Sequence, residues 1–242
     1  MSDPNKLAFW DHLEELRWRI FKCIISIVLF SFISFVYSDQ LMELLISPTH
    51  DLSVKLNLQV IKVTSMFTIK LGISLMGGII ASIPILIFQF WQFVSPAMEE
   101  NYTFQIIGIV LFSSIFFFGG LSFAYVIIIP YTLSFFTSMT FENFPVNYNY
   151  TLDGYLSYVL WLILSCGLLF QLPVVTFFFS KIGLLTPAFL RHYRKFVFVF
   201  FLILAAILTP PDPISQILIV IPLMILYELS IFMSWLIHRE NT

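Results

Sequence analysis

"FQIIGIVLFSSIFFFGGLSFAYVIIIPYTLSFF", residues 104–136, runs for 33 residues without one Asp, Glu, Lys or Arg. The hydrocarbon core of a bilayer is about 30 Å thick, which a helix crosses with about 20 apolar residues. As one continuous helix the stretch would be about 50 Å long. It must therefore tilt, bend or project from the bilayer, and Pro130 is the expected break. The same ruler applied outward marks further spans at about 20–37, 71–94, 152–180, 196–208 and 214–237. The fifth, 13 residues or about 20 Å of helix, is too short for an ordinary bilayer unless the membrane thins or neighbours shelter it. With the sixth it forms a hairpin joined by "TPPDPISQ". The expected fold is thus all-α and polytopic, one integral-membrane domain over residues 1–242 with six transmembrane helices.

Composition agrees. The chain is 59% apolar and 11% charged, against about 25% charged in soluble domains, and mean hydropathy is +0.94. Short segments of period-two alternation are missing, which argues against a β-barrel. The formal net charge of −2 gives no basic surface for nucleic acid. No basic segment followed by an apolar run and a small-residue cleavage site opens the chain, so the first span is expected to be retained. Cys23 and Cys166 both fall in apolar stretches and read as core thiols.

Lys and Arg are unevenly placed. Lys6, Arg17, Arg19 and Lys22 precede or open the first span. Lys181, Arg191, Arg194 and Lys195 follow the fourth, and Arg239 is in the tail. The opposite side holds only Lys55, Lys62 and Lys70. The excess of positive charge predicts that both termini are cytoplasmic, or on the equivalent organelle side. The first outer loop, 38–70, has room for short helices. The second, 138–151, is polar and aromatic.

Enzymatic chemistry finds little support. His12, His50, His192 and His238 lie outside or at the ends of spans, where they cannot hold a haem within the membrane. No HExxH, Gly-rich phosphate loop or nucleophile elbow is present, and neither a cofactor nor a metal is expected. Polar residues inside spans are functional candidates, and here they are Gln89, Gln171 and Glu228. Gln171, just before Pro173, either satisfies carbonyls freed by the kink or offers a polar contact to a guest helix. Glu228 either pairs with a nearby base or reaches the interface. Between spans five and six, Pro210, Pro211 and Pro213 enforce a turn and Asp212 suits a helix cap. Thr209 and Gln216 are placed to hydrogen-bond a partner helix.

The densest charge is in "FWDHLEELRWRI", residues 9–20, where six of twelve residues are Asp, Glu, Arg or His. Phe9, Leu13, Leu16 and Ile20 make an apolar stripe at helical spacing. Glu14 can pair with Arg17, and Glu15 with Arg19. Two readings stand open: an interfacial helix braced by its own ion pairs, or a carboxylate that receives a cation from a partner.

"HLEELRWRI" at the N-terminus, "PILIFQFWQFVSPAM" at 84–98, "SFAYVIIIP" at 122–130, "FQLPV" at 170–174 and "LTPPDPISQ" at 208–216 follow one another in an order that resembles the TatC family. TatC is the receptor subunit of the twin-arginine protein translocase, and the likeness covers nearly the whole chain. In look it is nearest to α-proteobacterial or mitochondrion-encoded members. The resemblance implies a cup-like array of six helices in a bacterial or organellar inner membrane. It implies binding of twin-arginine signal peptides of folded cargo and work with TatA/TatB-type single-span partners. It also implies a homo-oligomer within a hetero-complex, surrounded by membrane lipids and driven by the proton gradient. The alternative from the residues alone is a small-solute or ion carrier.

By motif position, Glu15 matches the family's acidic receptor residue, Arg17 its basic companion and Phe93 the aromatic after span two. Pro48 matches the proline after span one. Tyr125 and Gln171 fall where the family lines its cup. Thr209, Asp212 and Gln216 match the partner-docking hairpin. One departure stands out: the family's second signal-facing Glu is Tyr102 here. Glu99 shares a helical face with Tyr102 at i, i+3, so Glu99, or else Glu100, is expected to supply the displaced carboxylate.

Overall fold

The computed structural model describes residues 4–49, 57–94, 102–138, 149–209 and 213–240. Nearly all of them are helical. The helices are α1 (Pro4–Val36), α2 (Ser38–Ile46), α3 (Ser65–Val94), α4 (Tyr102–Phe123), α5 (Ile129–Ser138), α6 (Leu152–Leu169), α7 (Leu172–Lys181), α8 (Pro187–His192), α9 (Arg194–Leu208) and α10 (Pro213–Glu240). Among the described residues, five stretches are long and apolar enough to cross a membrane: His12–Val36, Ser65–Val94, Ile107–Ser138, Leu152–Lys181 and Pro213–His238. They coincide with five of the six expected spans. The remaining one, at 196–208, is helix α9, whose 15 residues reach about 22 Å.

The 104–136 stretch is interrupted just ahead of Pro130, the expected break, and the cause is local. Residues Ala124–Ile128 form a π-helical turn between α4 and α5, closed by Ile129 N–H donating to the Ala124 carbonyl. Pro130 has no N–H and its ring collides with the carbonyl four residues back in a regular helix. A wider turn just ahead of it relieves that collision. The fourth span is interrupted likewise. Phe170 and Gln171 make a turn, and Pro173 sits in the first turn of α7. At the far end of α7, Gly183 adopts φ +78°. Its N–H reaches the Ser180 carbonyl at 3.1 Å and Leu184 N–H reaches Phe179 at 2.9 Å, a Schellman closure that only glycine makes without strain.

The helices sort into two compact units, Met1–Leu41 with Lys70–Ser114, and Met42–Ile69 with Ile115–Thr242. In the first unit, α1 and α3 run antiparallel with small residues at their crossing. A methyl group at Gly78 would lie 2.5 Å from the backbone Cα and N of Ser31, and one at Gly77 would lie 2.9 Å from Ser34 Oγ. Close backbone approach of this kind is how helices associate where lipid is as apolar as the side chains. Near the start of α3, Lys70 bonds Asp39 at 3.1 Å and lies 5.8 Å from the Phe35 ring centre.

The second unit has the larger buried core. Phe117, Ala124, Ile128, Ile129, Val159, Leu162 and Ala205 are fully enclosed. Glycine again sets the spacing: a methyl at Gly120 would lie 2.7 Å from the Cys166 carbonyl, and one at Gly167 would lie 2.7 Å from the Phe117 ring. Hydroxyls tie the helices together, Ser180 to Ser234 at 2.8 Å and Ser215 to Thr132 at 3.2 Å. Tyr155 Oη donates to the Leu45 carbonyl at 2.9 Å. The 38–70 segment does hold a short helix, α2, followed by a 3-10 turn over Ser47–Thr49. Its strand β1 (Asn57–Gln59) pairs in parallel with β2 (Asn149–Thr151), which precedes α6, Leu58 opposite Tyr150. That pairing ties the two segments together. Sequence reading did not foresee it, because "NLQ" and "NYT" carry no alternating β-branched pattern.

Candidate functional site

The charged opening stretch is not a separate surface helix. It is the first part of α1, continuous with the first span. Of its apolar stripe, Leu13 and Ile20 are exposed and Leu16 is half-buried, as suits contact with lipid. The charges pair as their spacing anticipates. Arg17 bonds Glu14 at 3.1 Å, both largely exposed. Arg19 bonds Glu15 through Nε at 2.9 Å and also through Nη2.

These two pairs differ in their surroundings. The Arg19 side chain is only 13% exposed and that of Glu15 35%. The end of α3 covers them. Arg19 Nη1 donates to Gln92 Oε1 at 2.8 Å and to Gln89 Oε1 at 3.4 Å. His12, one turn before Glu15, stacks on Phe93 with ring centres 4.3 Å apart and planes 14° from parallel, and its Nδ1 is 3.6 Å from Glu15 Oε2. Two turns of α1 and one turn of α3 thus form a cluster of carboxylate, guanidinium, two carboxamides and two stacked rings. The arrangement can hold a planar cation. The carboxylate already accepts a guanidinium, whose fork matches it in a way an ammonium cannot.

Of the residues singled out for signal binding, Glu15 and Phe93 are brought into this cluster. Arg17 lies beside it, turned to Glu14 and to the Trp18 ring at 5.8 Å. Glu99 and Glu100 lie outside the described residues. Gln92 and the His12–Phe93 stack were missed. The signal was there, since Gln89 and Gln92 are i, i+3 and so share a face at the end of a span.

The other expected residues fall in the second unit and have internal tasks. Tyr125 Oη donates to the Leu44 carbonyl at 2.8 Å and lies 3.0 Å from Ser47 Oγ. Pro48 is buried in the turn that follows Ser47. Gln171 occupies the turn between α6 and α7, its amide N–H bonded to Leu168 and its carbonyl to Val175, both at 3.0 Å. Thr209 is buried and its hydroxyl donates to Ala205 at 2.9 Å. Gln216 donates from Nε2 to the Leu202 carbonyl at 2.7 Å, which braces α10 against α9. Asp212 lies outside the described residues. Glu228 resolves to one of its two readings, a 2.7 Å ion pair with Arg194. Among the described residues no cluster of His, Cys, Asp and Glu is suited to a metal.

Comparison with known proteins agrees with this architecture. Residues 11–222 match the family model described as Sec-independent protein translocase protein (TatC). The chain is 34% identical to the TatC protein of Aquifex aeolicus over 231 residues, covering 96% of each. It is 32% identical to that of Halalkalibacterium halodurans over 239 residues, covering 98% of this chain and 93% of the relative. Its fold superimposes on a crystal structure of the twin-arginine translocase receptor TatC with a TM-score of 0.82 at 34% identity, covering 94% of this chain and 99% of that one. With the family model matched over most of its length and its fold shared, the chain belongs to the TatC family of Sec-independent protein translocase proteins.

Proposed function

We propose that this chain is the receptor and core subunit of a twin-arginine translocase, a multi-pass membrane protein and not an enzyme, and that Glu15 accepts an arginine of the signal peptide. The observation that carries the assignment of Glu15 is its pairing with Arg19: a carboxylate at the end of a span, partly covered by α3, holding a guanidinium. Phe93, stacked on His12 beside it, offers an aromatic face to the signal chain. Arg17 orients Glu14 nearby, and Glu99, or else Glu100, supplies a second carboxylate. One charge-assisted bond contributes about 1.5–3 kcal/mol, enough to favour Arg-Arg signals over neutral ones.

Six spans with both termini cytoplasmic put this cluster where an unexported signal arrives. Two things support that topology: the basic residues crowd one side, and β1–β2 pairing keeps the outer loops together. TatA/TatB-type single-span partners dock along α9 and α10. Those helices expose Ile203, Ile207, Ile217 and Ile221 to the bilayer, with Thr209, Asp212 and Gln216 at their junction. Tyr125 and Gln171 face the passing signal within an inner-membrane assembly of several copies that is driven by the proton gradient. The carrier alternative relied on Glu228 as an intramembrane charge, and Glu228 is paired with Arg194.

The test is site-specific crosslinking of an Arg-Arg signal peptide to positions 15 and 93 in membranes. Adducts at both, lost when the peptide carries two glutamines, are the expected result. Adducts that ignore the arginines, together with solute flux in liposomes, refute the assignment.

A further inference from the structure

Resting on the reading of Glu15 as acceptor of a signal arginine, we infer that Arg19 is an internal occupant of that site and sets the affinity threshold for signal peptides. Glu15 is not vacant. Its carboxylate is held by Arg19 through two guanidinium nitrogens, so an incoming arginine must displace a group of its own chemistry. Arg19 has somewhere to go. Its Nη1 already bonds Gln92 Oε1 at 2.8 Å and Gln89 Oε1 at 3.4 Å. Those two carboxamides belong to α3, not α1, so they stay in place when Glu15 turns to the signal. A guanidinium with five donors can lose the carboxylate and keep the carboxamides. Exchange therefore swaps one guanidinium–carboxylate pair for another and leaves no charge buried without a hydrogen bond, which would be costly.

The geometry sets this pair apart from its neighbour. Arg17 and Glu14 are similarly spaced but largely exposed, at 70% and 62%, and water already competes for that pair. At 13% exposure Arg19 is shielded, so its hold on Glu15 is the one that resists a weak competitor. The cost of freeing Glu15 is the same whatever peptide arrives. Removing Arg19 must then raise affinity for all peptides by one factor. The ratio between Arg-Arg and Lys-Lys signals stays put, while weak signals now pass the threshold.

Binding of fluorescent Arg-Arg and Lys-Lys signal peptides to the full chain in lipid nanodiscs tests this. Arg19→Gln should bind both about tenfold tighter, near the low end for one charge-assisted bond. Arg19→Lys, which keeps the charge but loses the planar fork, should give a smaller gain of the same sign. Gln92→Leu should weaken binding several-fold in the native background and have no effect beside Arg19→Gln, because it acts only through Arg19. A merely structural role for Arg19 predicts the reverse sign, so loss of affinity in both Arg19 variants overturns the inference. So does an equal effect of Gln92→Leu with and without Arg19. Glu15→Gln separates this from the underlying assignment. If it leaves Arg-Arg binding intact, the Glu15 reading fails. If it abolishes binding while the Arg19 variants weaken it, only the threshold role fails.

Discussion

Replacing Gly78 by alanine should be among the most damaging single-methyl changes in the first unit. The added carbon would sit 2.5 Å from Ser31 Cα and N. Non-bonded carbons rest at about 3.5–4.0 Å, so α1 and α3 must part by about 1 Å or rotate. The Ser31 hydroxyl is hit as well, but the other two atoms are backbone, so turning that side chain away does not relieve the clash. Overpacking of this kind costs about 1–3 kcal/mol, against a gain of up to about 1 kcal/mol from alanine's better helix propensity. The net expectation is a loss of about 1–2 kcal/mol. For a chain of this size that is a fall of about 2–8 °C in melting temperature.

Gly72, in the same helix, is the control, since a methyl there meets nothing within 4 Å. Gly72→Ala should leave stability unchanged or raise it slightly. The assay is thermal unfolding of purified protein in one detergent, followed by tryptophan fluorescence. A further variant sharpens the attribution. Ser31→Gly removes the hydroxyl from the contact but leaves N and Cα, so the double variant Ser31→Gly, Gly78→Ala should recover little. Gly78→Ala as stable as Gly72→Ala would refute the close crossing. Full rescue by Ser31→Gly would show that the hydroxyl, not the backbone, was the obstacle.

Other expectations follow from individual contacts. Tyr227 Oη donates to the buried Leu190 carbonyl at 2.8 Å, so Tyr227→Phe should cost about 1 kcal/mol, read by the same melts. Glu228→Gln should cost under about 1 kcal/mol, because the Arg194–Glu228 pair is about half exposed and such pairs are weak. A larger loss would mean the pair is sheltered in the membrane. Gln216→Leu frees α10 from the Leu202 carbonyl and should cost about 0.6–1.5 kcal/mol, with amide exchange rising first in α9.

The long apolar helices were legible because uncharged length is read directly against bilayer thickness. Pro130 and Pro173 gave away the interruptions because a missing N–H has a local consequence that no neighbour cancels. Glu14–Arg17 and Glu15–Arg19 were legible for the same reason, since i, i+3 and i, i+4 partners lie on one helix. The other half of the site was not. Gln92 lies 73 positions from Arg19, and a carboxamide at the end of an apolar run has no periodicity that names its partner. Matching by motif led to Glu15 and Phe93, while His12 and Gln92 came into view only when α3 was laid along α1.

Which face of each span meets protein was the hardest thing to read, and the reason is physical. In water an amphipathic helix declares its buried face by apolar residues. In a bilayer lipid and protein are equally apolar, so the pattern disappears: Phe32 and Phe117 are alike in sequence, yet one is 73% exposed and the other fully enclosed. What survives is residue size, because only small residues let backbones touch. The chain holds two Gly-Gly pairs, 77–78 and 119–120. Gly77 and Gly78 meet Ser34 and Ser31, and Gly120 meets the Cys166 carbonyl while Gly119 meets nothing. The interior of each unit was therefore written in its smallest residues. In Phe-rich helices, glycine and serine mark the inside that phenylalanine cannot.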